Sequence, residues 1–151
     1  QIDIAKALIE AGANVNQKNL IQDSPYLLAG ASGRNEILKL ALAHGADLKS
    51  TNRYGGTALI PACERGHVET VRLLIAAGVD LNHVNRLGWT CLMEAIVLSD
   101  GGPAHQQIVS QLIEAGADLN LPDDKGVSPL QHAQKRGQTA IAHLLRAAGA
   151  H

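Results

Sequence analysis

Phenylalanine is absent from this chain of 151 residues, and Tyr26, Tyr54 and Trp89 are its only aromatic side chains. A core without large rings has to be filled by Leu, Ile, Val and Ala, which suits thin, closely stacked layers. Charge of one sign is also lacking. A formal net charge of −1 leaves no global field to draw the chain to nucleic acid or to an acidic membrane. No apolar run approaches the length of a membrane span, because Gly and Pro interrupt each one. An initiator Met is missing too. The chain opens at Gln1 in what reads as the middle of a helix, so we expect a trimmed fragment whose leader, if any, is out of view. A soluble, cytoplasmic setting is the favoured compartment.

What the chain does have is a period. Gly-Ala, or a close variant, stands at Gly12-Ala13, Gly45-Ala46, Gly78-Val79, Gly116-Ala117 and Gly149-Ala150, with spacings of 33, 33, 38 and 33 residues. Ser24, Thr57, Thr90 and Ser128 keep the same beat at 33, 33 and 38. One unit therefore recurs, and one copy carries five extra residues. A period of this length marks a solenoid, in which each unit hides its apolar face only against its neighbours.

The unit from Asn52 to Asn82 shows the grammar. Asn52 to Gly55 is turn chemistry. Thr57 is placed to cap a short first helix that ends near Gly66. His67 opens a second helix with Val68, Val71, Leu74 and Ile75 on one face, and Gly78 stops it. Pro61, about four residues into the first helix, predicts a delayed start or a slight bend there.

These residues resemble the ankyrin repeat. The opening tetrads are Ser24-Pro25-Tyr26-Leu27, Thr57-Ala58-Leu59-Ile60, Thr90-Cys91-Leu92-Met93 and Ser128-Pro129-Leu130-Gln131. The closing motifs are Gly12-Ala13-Asn14-Val15-Asn16, Gly45-Ala46-Asp47-Leu48-Lys49, Gly78-Val79-Asp80-Leu81-Asn82 and Gly116-Ala117-Asp118-Leu119-Asn120. The stretch from Gly88-Trp89-Thr90 to Asp100-Gly101-Gly102-Pro103 is similar to bacterial ankyrin proteins. The resemblance implies an all-α solenoid of stacked helix–turn–helix units joined by β-turn or hairpin loops. No copy keeps the family's opening His, and His132 falls one residue late for its role of knitting adjacent turns.

Laid on the chain, the pattern divides it into five pieces. Residues 1–18 are a partial repeat with only its second helix, whose stripe is Ile4, Leu8 and Ile9 and which is expected to fray. Residues 19–51 and 52–84 are full repeats, 85–122 is a repeat with a five-residue insertion near 98–103, and 123–151 is a C-terminal cap. Arg146 stands in the cap where Ile9, Leu42, Ile75 and Ile113 stand in the array, as a water-facing last layer needs. The insertion reads as a tolerated surface loop with Pro103 opening the next helix, and as a secondary docking feature in the alternative. Tyr26 replaces a Leu of the motif and is expected in the core.

Cys63 and Cys91 lie six and one residues past their markers. Five helical residues separate those levels by ~7.5 Å, and stacking adds a helix spacing of ~10 Å. A disulfide needs Cα atoms within ~7 Å, so two buried thiols are expected instead. The seven His are dispersed over different units without metal-ligand spacing, and no phosphate loop, nucleophile elbow or carboxylate pair occurs. No catalytic, cofactor or metal site is expected. Residues 86–123 carry a net −4 and residues 124–151 a net +3, either a weak structural complement or a guide for an approaching partner.

Ankyrin stacks resemble a cupped hand that holds protein partners, which implies a monomeric, non-catalytic scaffold or adaptor. It implies contact residues Leu20, Ile21 and Asp23 on the first turn, Arg53 and Tyr54 on the second, Arg86, Leu87 and Trp89 on the third and Lys125 on the fourth. Glu64, Arg65, Val97 and Leu98 are the corresponding palm positions, with Lys135 and Arg136 beyond them. Trp89 is either a contact residue or a buttress between turns. The alternative function is a regulatory array within a larger enzyme or effector.

Overall fold

A computed structural model describes residues 2–151 and leaves Gln1, within the partial first repeat, outside the described residues. Among the described residues all regular structure is helical. Helix α1 (Ile2–Glu10) is followed by four pairs: α2 (Pro25–Ser32) with α3 (Asn35–Ala43), α4 (Leu59–Glu64) with α5 (Val68–Ala77), α6 (Cys91–Val97) with α7 (Pro103–Glu114), and α8 (Pro129–Lys135) with α9 (Thr139–Ala147). The first helices stack as one row, α2 on α4 on α6 on α8, and the second helices as another, α1 on α3 on α5 on α7 on α9.

Local chemistry starts and stops these helices. Ser24, Thr90 and Ser128 each accept the amide three residues on, and at Ser128 the Gln131 side chain reaches back to complete a capping box. Thr57 departs from this expectation. Its helix starts one residue late at Leu59, with no side-chain cap, and the Thr57 hydroxyl is buried without a partner. Pro61 explains both. In the other units the residue at its position donates its amide to the marker's carbonyl, as Leu28 does to Ser24. Proline has no such amide. The Ile60 amide turns to the Thr57 carbonyl instead, at 3.3 Å, and leaves the hydroxyl unused. At the far end of α2, Gly33 caps the helix with φ 68°, and a Cβ there would lie 3.0 Å from Nδ1 of His67 in the next unit.

The core is a run of aliphatic layers. Leu38, Leu59, Leu74, Leu92, Ile96, Ile108, Leu112, Ile141 and Leu145 are all fully buried, each contributing roughly 1.5–3 kcal/mol over an exposed side chain. Tyr26 joins them as expected, its hydroxyl unpartnered, and burial pushes its pKa up to about 12, with the Asp47 charge adding to the effect. Arg146 is exposed while Ile9 is buried and Leu42, Ile75 and Ile113 are half-buried. The expected stripe of α1 is a partial correction. Ile9 is buried where α1 packs on α3, but Ile4 and Leu8 face solvent.

Ties between units follow the closing motif. Asn16 accepts the Asp47 amide, Asn82 the Asp118 amide and Asn120 the His151 amide. Lys49, at the same position, breaks the series. A second row of ties runs through His105 and Gln138: His105 Nε2 pairs with the Glu64 carbonyl at 2.8 Å, and Gln138 donates to the carbonyls of Ile96 and Ser99. The inserted segment is held by that Gln138 clamp and by its own bonds, Ser99 Oγ to the Ala95 carbonyl and the Gly102 amide to Asp100. His132 bonds Asp123 of its own unit at 2.8 Å and ties a turn to its helix.

The cysteine expectation is overturned. Cys63 and Cys91 are joined in a disulfide, with Cα atoms 5.5 Å apart. Adding a helix spacing to an axial offset treated the units as stacked without slide. In the structure the end of α4 meets the start of α6. The same two positions face each other one layer earlier, where a Cβ on Gly30 would fall 3.0 Å from that of Ala58. At one layer the close approach is met by a missing side chain, and at the next by a covalent bond.

Candidate functional site: the concave cleft

The first-helix row and the turns that precede it form a concave cleft of about 340 Å³. Its floor comes from α4 and α6 through Ile60, Pro61, Glu64 and Glu94, with Leu98 just past the end of α6. Its rim comes from the turns, through Asp23, Asn52, Arg53, Tyr54, Asn85 and Leu87, with Leu28, Ala31 and Arg65 closing the sides.

The turns are built alike. Asn52 Oδ1 accepts the amides of Tyr54 and Gly56, Asn85 Oδ1 those of Leu87 and Trp89, and Asp123 Oδ1 those of Lys125 and Val127. Each turn thereby presents its tip residues outward in one orientation. The first turn differs at its apex, where Gln22 holds φ 65° at the position that Gly55, Gly88 and Gly126 fill elsewhere, a conformation that disfavours a side chain. The second turn is bolted to the third: the Arg86 guanidinium donates to the Arg53 carbonyl at 2.9 Å and the Arg86 amide to that of Tyr54. Arg53 lies over the Tyr54 ring at 4.9 Å, a cation–π contact.

Of the residues expected to meet a partner, Asp23, Arg53, Tyr54, Glu64, Arg65, Leu87 and Leu98 line this cleft. Tyr54, Leu87 and Leu98 are exposed there, as is Leu28, which the sequence reading passed over. Leu20, Ile21 and Lys125 are exposed outside it, Val97 and Trp89 are half-buried outside it, and Arg86 is held in the turn-to-turn clamp. Lys135 and Arg136 are exposed, also beyond the cleft.

Glu94 was not anticipated. It lies four residues past its marker, in the column Leu28, Pro61, Glu94 and His132, and is only 5% exposed. Asn85 Nδ2 donates to its Oε1 at 3.2 Å. The pair is the counterpart of Asp123 and His132, nine residues apart in both units. In the fourth unit that hydrogen bond, followed by the Val127 amide, lowers the pKa of Asp123. In the third, burial and then the neighbouring Glu64 charge push Glu94 up to about 7, against the bond from Asn85. The one signal in the sequence was an acid in a column whose earlier members are apolar.

Among the described residues no three His, Cys, Asp or Glu side chains are grouped to hold a metal ion, and no helix is long and apolar enough to cross a membrane. Comparison with known proteins agrees with the fold. A model of ankyrin repeats in three copies matches residues 26–123. Among solved structures, an ankyrin repeat domain from Acinetobacter baumannii AYE is 65% identical with a TM-score of 0.98, over 99% of this chain and 76% of that one. EF0377, an ankyrin repeat protein, is 48% identical with a TM-score of 0.93, over 96% of this chain and 74% of that one. A putative ankyrin repeat protein of Escherichia coli K12, YahD, is 53% identical over 58 residues, which span 38% of this chain and 29% of that protein. Periodic sequence, paired helices in two rows and these matches agree: the chain belongs to the ankyrin repeat family.

Proposed function

We propose that this chain is a non-catalytic binding module that takes a segment of a protein partner across its concave cleft and the neighbouring turn tips. Ankyrin repeats generally serve protein–protein interaction. The observation that supports placing the partner here is the exposed apolar rim. Leu28, Tyr54, Leu87 and Leu98 are each about half exposed, and all four gather around one cleft. Tyr54 under Arg53 is a rigid anchor of the type that dominates binding energy. Leu20 and Ile21 extend the apolar strip along the first turn.

The test is affinity capture from the native host, followed by calorimetry of the purified partner against variants. Tyr54→Ala and Leu87→Ala should each weaken binding about tenfold or more with an unchanged circular dichroism spectrum. Full affinity in both would remove the cleft as the binding face.

A further inference from the structure

Glu94 is a buried carboxyl that opens onto the cleft, and its surroundings leave it incompletely served. Among the described residues its one hydrogen bond is from Asn85 to Oε1, and Oε2 accepts none. Glu64 lines the cleft beside it and makes no ion pair. The charged groups that face this place are Asp23 from the first turn, Arg53 from the second, Glu64 from α4 and Arg65 just past its end, while α7 and α8 add none to the lining. Both arginines are occupied elsewhere, Arg65 with the Ala31 carbonyl at 2.7 Å and Arg53 with the Tyr54 ring. The molecule thus places two carboxyls on the floor of one cleft, whose walls mix apolar and polar side chains, and joins neither in an ion pair.

A purely structural role does not require the charge. Tying the third turn to α6 needs only an acceptor for Asn85, which a Gln would provide, and α8 does the same job with His132. A buried ionisable group lacking a counter-ion is destabilising unless it is matched by something that binds. The walls indicate the shape of the missing group. Leu28, Ile60, Leu87 and Leu98 would cover an alkyl stem, and the paired carboxyls would receive a charged head, as happens when long basic side chains bury their stems.

We propose that the cleft recognises a lysine or arginine side chain of the partner's segment, with Glu94 as its receiving group and Glu64 as the second carboxyl. This rests on the cleft being the partner-binding face. The occupant is then a basic residue flanked by apolar ones, whose neighbours cover Tyr54 and Leu87. Docking the cation favours the ionised form of Glu94, so near pH 6 binding releases a proton to solvent and affinity rises toward pH 8.

The test uses Nα-acetyl-arginine amide as probe and its uncharged citrulline analogue as control, with the Glu94 carboxyl carbon followed by NMR. Saturating arginine amide should lower the Glu94 titration midpoint by at least half a pH unit and shift Asn85, Leu87 and Leu98. The citrulline analogue should do neither, and Glu94→Gln should abolish the response. Equal shifts with the analogue, or shifts confined to residues outside the cleft, would overturn the proposal, and the wild-type titration decides this even if Glu94→Gln folds poorly. Partner binding separates the two readings. Loss with Tyr54→Ala but not with Glu94→Gln keeps the cleft and removes the cation, whereas indifference to both removes the cleft.

Discussion

Reducing the bond between Cys63 and Cys91 should loosen two neighbouring units that are otherwise held by packing and by hydrogen bonds such as Arg86 to Arg53 and His105 to Glu64. The crosslink closes a loop with a sequence separation of 28 residues, about the length of one unit. Freeing such a loop in the unfolded chain lowers stability by about 3.6 kcal/mol at 25 °C in the chain-entropy treatment. For a chain of this size that corresponds to a fall in melting temperature of about 7–14 °C. The cost is borne in the middle of the stack, between α4 and α6, which also form the cleft floor. Both sulfurs are shielded from solvent, at 0% and 1% exposure, so reductant acts through opening of the layers and works fastest near the transition. Urea unfolding followed by far-ultraviolet circular dichroism, with and without phosphine reductant, measures the difference. Alkylation in denaturant before and after reduction, read by mass spectrometry, establishes the starting state. Two thiols that alkylate without reductant, or a midpoint that reduction leaves within about 0.5 kcal/mol, would refute the inter-unit bond. They would equally challenge the slide between layers that brings these two positions together.

Three further outcomes follow from the same hydrogen-bond and burial pattern. Folded Glu94 holds its proton up to about pH 7, while in the unfolded chain it loses it near 4.5. Its share of stability is therefore complete below about pH 4.5 and is lost as pH rises through 7, a loss on the order of 2 kcal/mol. Denaturation midpoints of Glu94→Gln should lack this decline between pH 5 and 8, and parallel curves for the two proteins would contradict it. Thr90→Val deletes a cap that bonds the Met93 amide and should lose about 1 kcal/mol. Thr57→Val deletes a buried hydroxyl without a partner and should be neutral or stabilising by up to about 1 kcal/mol. Equal costs in urea melts would mean that Thr57 caps its helix after all.

Much of the fold could be read from residues because its determinants are local and recur. Ser24, Thr90 and Ser128 cap within three residues of themselves, Pro61 delays a helix through its own missing amide, and Gly33 ends one through its own backbone angle. Such effects are carried by neighbours in the chain, and a 33-residue beat repeats them until they are unmistakable. The fingertips and palm were implied by the family resemblance, and seven of the thirteen residues it named line one cleft. Glu94 escaped notice because its significance lies in how deeply the third unit sinks it and in which carboxyl of the second unit stands beside it. Cys63 and Cys91 were kept apart on paper for a related reason. A period states which residues are equivalent from unit to unit, but it is silent on how far each unit slides over the last. That displacement comes from the packing of one helix row on itself. It sets Gly30 against Ala58, joins Cys63 to Cys91, and leaves two acids sharing the cleft floor.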